Sequence, residues 1–143
     1  MFASRVRESL TLCQRTSFEL LQQASRLYLQ HDYKGAIGPY SQALELEKVN
    51  AKLDKTLWYV LIDNLGMSYG ITRDLQEAKE TFNYGVSKDP TYPLFYYNLA
   101  CTYAEMNDVA NASSYLKKAS STRQIPCPVS ACLILARTIH SRN

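Results

Sequence analysis

Residues 59–92 read YVLIDNLGMSYGITRDLQEAKETFNYGVSKDPTY, and residues 93–126 read PLFYYNLACTYAEMNDVANASSYLKKASSTRQIP. Set one above the other at a step of 34, they carry one pattern twice. Ile62, Leu65, Gly66 and Tyr69 are followed by Ala78, Phe82, Gly85 and Pro90. Tyr96, Leu99, Ala100 and Tyr103 are followed by Ala112, Leu116 and Ala119. Self-similarity at a period of a few tens of residues marks stacked repeats, each a unit that cannot bury its apolar face alone. Large side chains return where a helix needs a knob. Small ones (Gly66, Ala100, Ala78, Ala112) return where two helix backbones must come close.

Upstream lies a weaker third copy. A helix predicted from Ser17 to about Gln30 carries Leu20, Ala24, Leu27 and Tyr28 on one side. Ala36, Tyr40 and Ala43 keep the spacings of Ala78, Phe82 and Gly85, but Gln23 stands where the other copies have Leu65 and Leu99. The step from Ala24 to Gly66 is 42 residues, eight more than the next. The excess falls in Lys48–Leu57, as an extended helix end or a longer loop. Thr16 with Glu19, and Asp74 with Glu77, read as capping boxes, in which the two side chains satisfy orphan amides at a helix start. Asp32, Asp54 and Asp108 are further candidate caps. Pro39 lacks an amide hydrogen, so a kink or a late-starting helix is expected there. Pro93 is expected in a first turn, where the missing amide costs nothing.

The order Ile62-x2-Leu65-Gly66-x2-Tyr69, then Ala78-x3-Phe82, then Pro90, resembles the tetratricopeptide repeat, and the copy from Tyr96 fits equally well. The resemblance covers about 110 of the 143 residues and departs from the family at Gln23, at the eight-residue insertion, and in lacking tryptophan at Leu20, Ile62 and Tyr96. It implies an all-α fold: a right-handed solenoid of three tetratricopeptide-like helical hairpins, whose first helices line a concave groove. The expected layout is a single domain, 1–143. It comprises a leading segment 1–16, repeat one at 17–50, an insertion at 51–58, repeat two at 59–92, repeat three at 93–126 and a capping helix at 127–143. The leading segment spaces Phe2, Val6, Leu10 and Cys13 as a short amphipathic helix would, although its Arg and Ser content also suits a transit peptide and a frayed terminus is a third reading. In the last segment, Cys132, Leu133, Leu135, Ala136 and Ile139 form a helix apolar enough to cap the stack or to join two copies of the chain.

Composition fits a folded protein, with 46% apolar and 20% charged residues, eleven tyrosines and five glycines. No apolar run approaches the roughly 18–20 residues that span a bilayer. Four cysteines (Cys13, Cys101, Cys127, Cys132) form no CxxC pair and are expected as reduced, buried thiols of a cytoplasmic protein, although a Cys127–Cys132 disulfide is conceivable in an oxidising compartment. The net charge of +3 is uneven: after Asp108 no acid occurs, while Lys117, Lys118, Arg123, Arg137 and Arg142 do. Such an end can attract polyanions, yet no nucleic-acid motif accompanies it, and a solvated face explains it.

Catalysis needs a nucleophile, a base and an orienting group, or metal ligands, converging in a pocket. Only His31 and His140 are present, no glycine-rich phosphate loop occurs, and Cys127, Cys132 and His140 match no ligand spacing. No cofactor or metal is expected, and binding of a protein or peptide segment is the expected function. Assembly through the apolar terminal helix is the alternative. The resemblance places Asn64 and Asn98, 34 residues apart, where family asparagines bond an extended peptide's backbone, or where they merely hold helices together. Helical spacing adds Val60, Asp63 and Met67, then Leu94, Tyr97 and Cys101, with Phe18, Leu21, Gln22 and Ser25 completing the wall. Chaperone-binding members of the family grip a terminal carboxylate with cations. Leu21, Leu94 and Asn98 occupy those places, so an apolar or basic segment suits the surface better than an acidic one.

Overall fold

The computed structural model describes residues 15–121, which form six α-helices and no strands. They are α1 (Ser17–Leu29), α2 (Tyr33–Val49), α3 (Lys55–Ile71), α4 (Leu75–Lys88), α5 (Pro93–Glu105) and α6 (Val109–Ser121). The leading segment before Arg15 and the expected capping helix, with Cys13, Cys127, Cys132 and His140, lie outside the described residues. The chain divides into two compact units between Ser68 and Tyr69.

In the first unit α1 packs against α2, and its core holds Leu20, Leu21, Ala24, Ala36, Tyr40, Ala43, Leu61, Ile62 and Leu65. In the second, α5 packs against both α4 and α6 around Ala78, Phe82, Phe95, Leu99, Ala100 and Ala119. The repeated large and small positions are thus the buried ones. Each fully buried aromatic or aliphatic side chain contributes on the order of 1.5–3 kcal/mol of burial.

One turn is used three times. His31, Arg73 and Asn107 have φ of 62°, 71° and 60°, the left-handed conformation that reverses the chain after a helix. Each turn closes with a pair of bonds: Asp32 N donates to Leu27 O and His31 N to Tyr28 O, Asp74 N to Tyr69 O and Arg73 N to Gly70 O, and Asp108 N to Tyr103 O and Asn107 N to Ala104 O. In every case an Asp follows and starts the next helix. Asp32 accepts from Gly35 N at 2.9 Å and Asp108 from Asn111 N at 3.1 Å. Asp108 also accepts from the Asn111 amide, and these two bonds hold its carboxyl below the usual range. A Cβ at position 35 would run into the Asp32 carboxylate, which is where glycine is needed.

Asp74 departs from expectation. Its side chain makes no capping bond, so the Asp74–Glu77 box is absent and that helix start is held by backbone alone. The Thr16–Glu19 box is present, with Glu19 N donating to Thr16 Oγ1 at 3.2 Å and Thr16 N to Glu19 Oε2 at 3.0 Å. Thr16→Ala is expected to cost about 1 kcal/mol in denaturant unfolding, and an unchanged midpoint would count against the cap. Asp54 caps α3 through Leu57 N at 2.9 Å, and Pro93 opens α5. Pro39 does not delay α2, which starts six residues earlier at Tyr33 and runs through it.

The eight extra residues are mostly helix. α2 has 17 residues where α4 has 14, and α3 has 17 where α5 has 13. The connection at 50–54 is closed by Glu47, whose carboxylate is buried at 6% exposure. Oε2 accepts from Lys52 N at 3.0 Å and Leu53 N at 3.1 Å, while Oε1 accepts from Ser17 Oγ at the start of α1. Glu45, two residues earlier, points to solvent and pairs with Lys48.

Candidate peptide-binding surface

In the first unit, α1 presents Phe18, Gln22 and Ser25 at helical spacing, and α3 presents Val60, Asn64 and Met67. Helix side chains at spacings of three and four share a face. The two stripes are brought together by one atom. The hydroxyl of Tyr40, a side chain on α2 with no exposed surface, lies 3.1 Å from Ser25 Oγ and accepts from Asn64 Nδ2 at 2.9 Å. Three helices therefore meet at a single phenol. Around it Phe18 is 45% exposed and Val60 and Met67 are each 37% exposed, large apolar side chains facing solvent. Asp63 is half-buried beside this face and places its charge near Tyr28.

Leu21 does not join the surface. At 2% exposure it is core, because α1 turns Leu20, Leu21 and Ala24 together into the packing against α2.

In the second unit α5 carries the remaining candidates. Leu94, Tyr97 and Cys101 are half-exposed, Cys101 as a free thiol, while Asn98 is only 6% exposed. The two asparagines are thus in different situations despite their equivalent places. Both carry the same local device: Ser68 Oγ donates to Asn64 O at 2.7 Å, and Thr102 Oγ1 donates to Asn98 O at 2.8 Å, again 34 residues apart. Arg73 pairs with Glu105 at 2.6 Å on the exposed side of this unit, an ion pair worth under about 1 kcal/mol.

Burial raises the phenol pKa of Tyr40, partly opposed by its bonds to Ser25 and Asn64. It also raises Tyr28, with Tyr33, Tyr40 and Asp63 nearby, and Tyr103, with Tyr115 and Asp108 nearby. A folded pKa above the unfolded one means the protonated phenol is favoured by folding. The resulting stability is complete below about pH 10 and is lost as pH rises through the folded values. The denaturation midpoint should therefore fall above pH 10, and fall less steeply in Tyr40→Phe; equal slopes would exclude Tyr40 as a contributor.

Among the described residues no group of three or more His, Cys, Asp or Glu side chains could hold a metal, and no helix is long and apolar enough to cross a membrane. The Tyr40 link and the buried Glu47 were not singled out as functional or structural groups by sequence reasoning. The available signal for the first was a tyrosine at a place held by Phe82 and Leu116 in the other copies.

Comparison with known proteins agrees with this architecture. Residues 81–119 match the family model described as tetratricopeptide repeat. No curated protein matches the chain. Among solved structures, the chain resembles the C-terminal tetratricopeptide-containing domain of a Plasmodium falciparum protein described as FK506-binding. The TM-score is 0.67 at 16% identity, over 88% of this chain and 89% of that one. The chain has the all-α fold of tetratricopeptide-repeat proteins, with a repeat of that family legible in its second half.

Proposed function

From a fold whose repeats generally mediate protein–protein interaction, we propose that this chain is a non-catalytic module binding a protein or peptide segment on its first-helix faces. The observation that carries it is the exposed apolar set Phe18, Val60 and Met67 around the Ser25–Tyr40–Asn64 junction. Apolar anchors on rigid helices, with polar groups fixed between them, are what an amphipathic or extended segment recognises. In the second unit Leu94, Tyr97 and Cys101 offer a comparable half-exposed set. Asp63 is the charge among these residues, so the segment is apolar and basic.

The test is to pan a displayed library of 12-residue peptides on the full chain and synthesise the enriched sequences. Met67→Glu places a charge among the apolar anchors and is expected to weaken them at least tenfold, about 1.4 kcal/mol. Tyr97→Ala, in the second unit, is measured alongside. Binding that neither substitution alters would overturn the assignment.

A further inference from the structure

We propose that Tyr40 determines which end of the Asn64 side-chain amide faces the partner, and thereby makes the surface select a segment bearing a Lys or Arg. The inference rests on the binding reading above and goes further by fixing the partner's chemistry. Asn64 Nδ2 donates to Tyr40 Oη, and that hydroxyl can donate its own hydrogen to Ser25 Oγ at the same time. With the NH2 end held, the Asn64 carbonyl oxygen is the end left for a ligand; among the described residues it has no hydrogen-bond partner. An asparagine can offer either donors or an acceptor, and its neighbour decides which. Here the neighbour is a phenol with no exposed surface, on a helix packed into the core, so the choice is built into the fold.

The acceptor stands one residue from the Asp63 carboxylate on α3. A ligand carboxylate at this place would meet two acceptors, whereas an ammonium or guanidinium would meet a carbonyl oxygen and a negative charge. The next copy lacks the device: Phe82 stands at the Tyr40 place and has no hydroxyl to orient Asn98. Selection for a cation is therefore a property of the first unit.

The experiment uses the full chain and an enriched library peptide, made in three forms with Lys, norleucine or Glu at its basic position. Wild type is expected to bind the Lys form about tenfold more tightly than the Glu form, as one well-placed charged hydrogen bond allows. Tyr40→Phe removes only the hydroxyl and should narrow that ratio to about threefold or less, because the amide is then free to turn. Asn64→Asp keeps an acceptor and should preserve the preference for Lys. In amide NMR, one Asn64 Nδ2 proton should exchange slowly in wild type and quickly in Tyr40→Phe. A wild-type ratio that survives Tyr40→Phe, equal binding of the Lys and norleucine forms, or loss of the Lys preference in Asn64→Asp overturns the proposal. Peptides insensitive to Met67→Glu overturn the surface reading in the first unit itself, and a library yielding no binder overturns both.

Discussion

Glu47→Ala is expected to lower the unfolding free energy by about 3 kcal/mol, among the largest effects of any single substitution outside the aromatic core. The carboxylate accepts from the Ser17 hydroxyl and from the amides of Lys52 and Leu53, so one side chain joins the start of α1 to the connection between α2 and α3. Hydrogen bonds to a charged group contribute roughly 1.5–3 kcal/mol each, and removing the acceptor leaves the donors behind in partly buried positions. Against this stands the cost of holding a carboxylate at 6% exposure, which alanine relieves. The donors win because three of them converge on two oxygens. Glu47→Gln keeps one acceptor oxygen and turns an NH2 toward the other donors, so roughly half the loss is expected. The protein contains one tryptophan, Trp58, half-buried on α3 in the same unit, and its fluorescence in a urea titration reports the change. A Glu47→Ala midpoint within error of wild type would show that water replaces the carboxylate at no loss.

Periodicity made the helices legible and left the polar joints obscure, for a physical reason. A buried apolar position must be apolar in every copy, so Leu65 and Leu99, or Ala78 and the buried Ala36, announce themselves by repetition. The X-Asp turns could be read as breakers for the same reason, since a left-handed residue followed by a cap recurs at His31, Arg73 and Asn107. A hydrogen bond between distant segments leaves no such trace. Glu47 looks like any helix glutamate, and only the placement of Lys52 and Leu53 within 3.0 and 3.1 Å gives it a role. Leu21 was placed on the binding face because its position matches Asp63 and Tyr97 in the other copies. It is buried because α1 packs a wider apolar strip than the 34-residue pattern contains. Asn64 and Asn98 were equivalent in sequence and are unequal in space, one half-buried on Tyr40 and the other at 6% exposure. Repeat position alone could not separate them, since the difference arises from the residues that stand at positions 40 and 82.

Tyr40 is where these arguments converge on a single measurement. Tyr40→Ala removes an aromatic side chain with no exposed surface and leaves a cavity, for which core aromatic truncations cost about 3–5 kcal/mol. It also strips Ser25 and Asn64 of their shared partner, although a cavity with two polar walls can admit a water that recovers part of that loss. About 4 kcal/mol is the expected total, near the limit of what a small domain tolerates. Tyr40→Phe separates the two contributions, because the ring is kept and Phe82 shows that a repeat of this kind accepts phenylalanine at the equivalent place. Its expected cost is about 1–2 kcal/mol, the hydroxyl's share. In a double-mutant cycle, Tyr40→Phe and Asn64→Leu should couple by about 1 kcal/mol, since each removes the same bond. Ser25→Ala should couple with Tyr40→Phe in the same way, and Thr81→Ala, on α4 in the other unit, should not. If Tyr40→Phe is as stable as wild type, the phenol is a spacer only, and the three-helix junction in the first unit is held by shape without its hydrogen bonds.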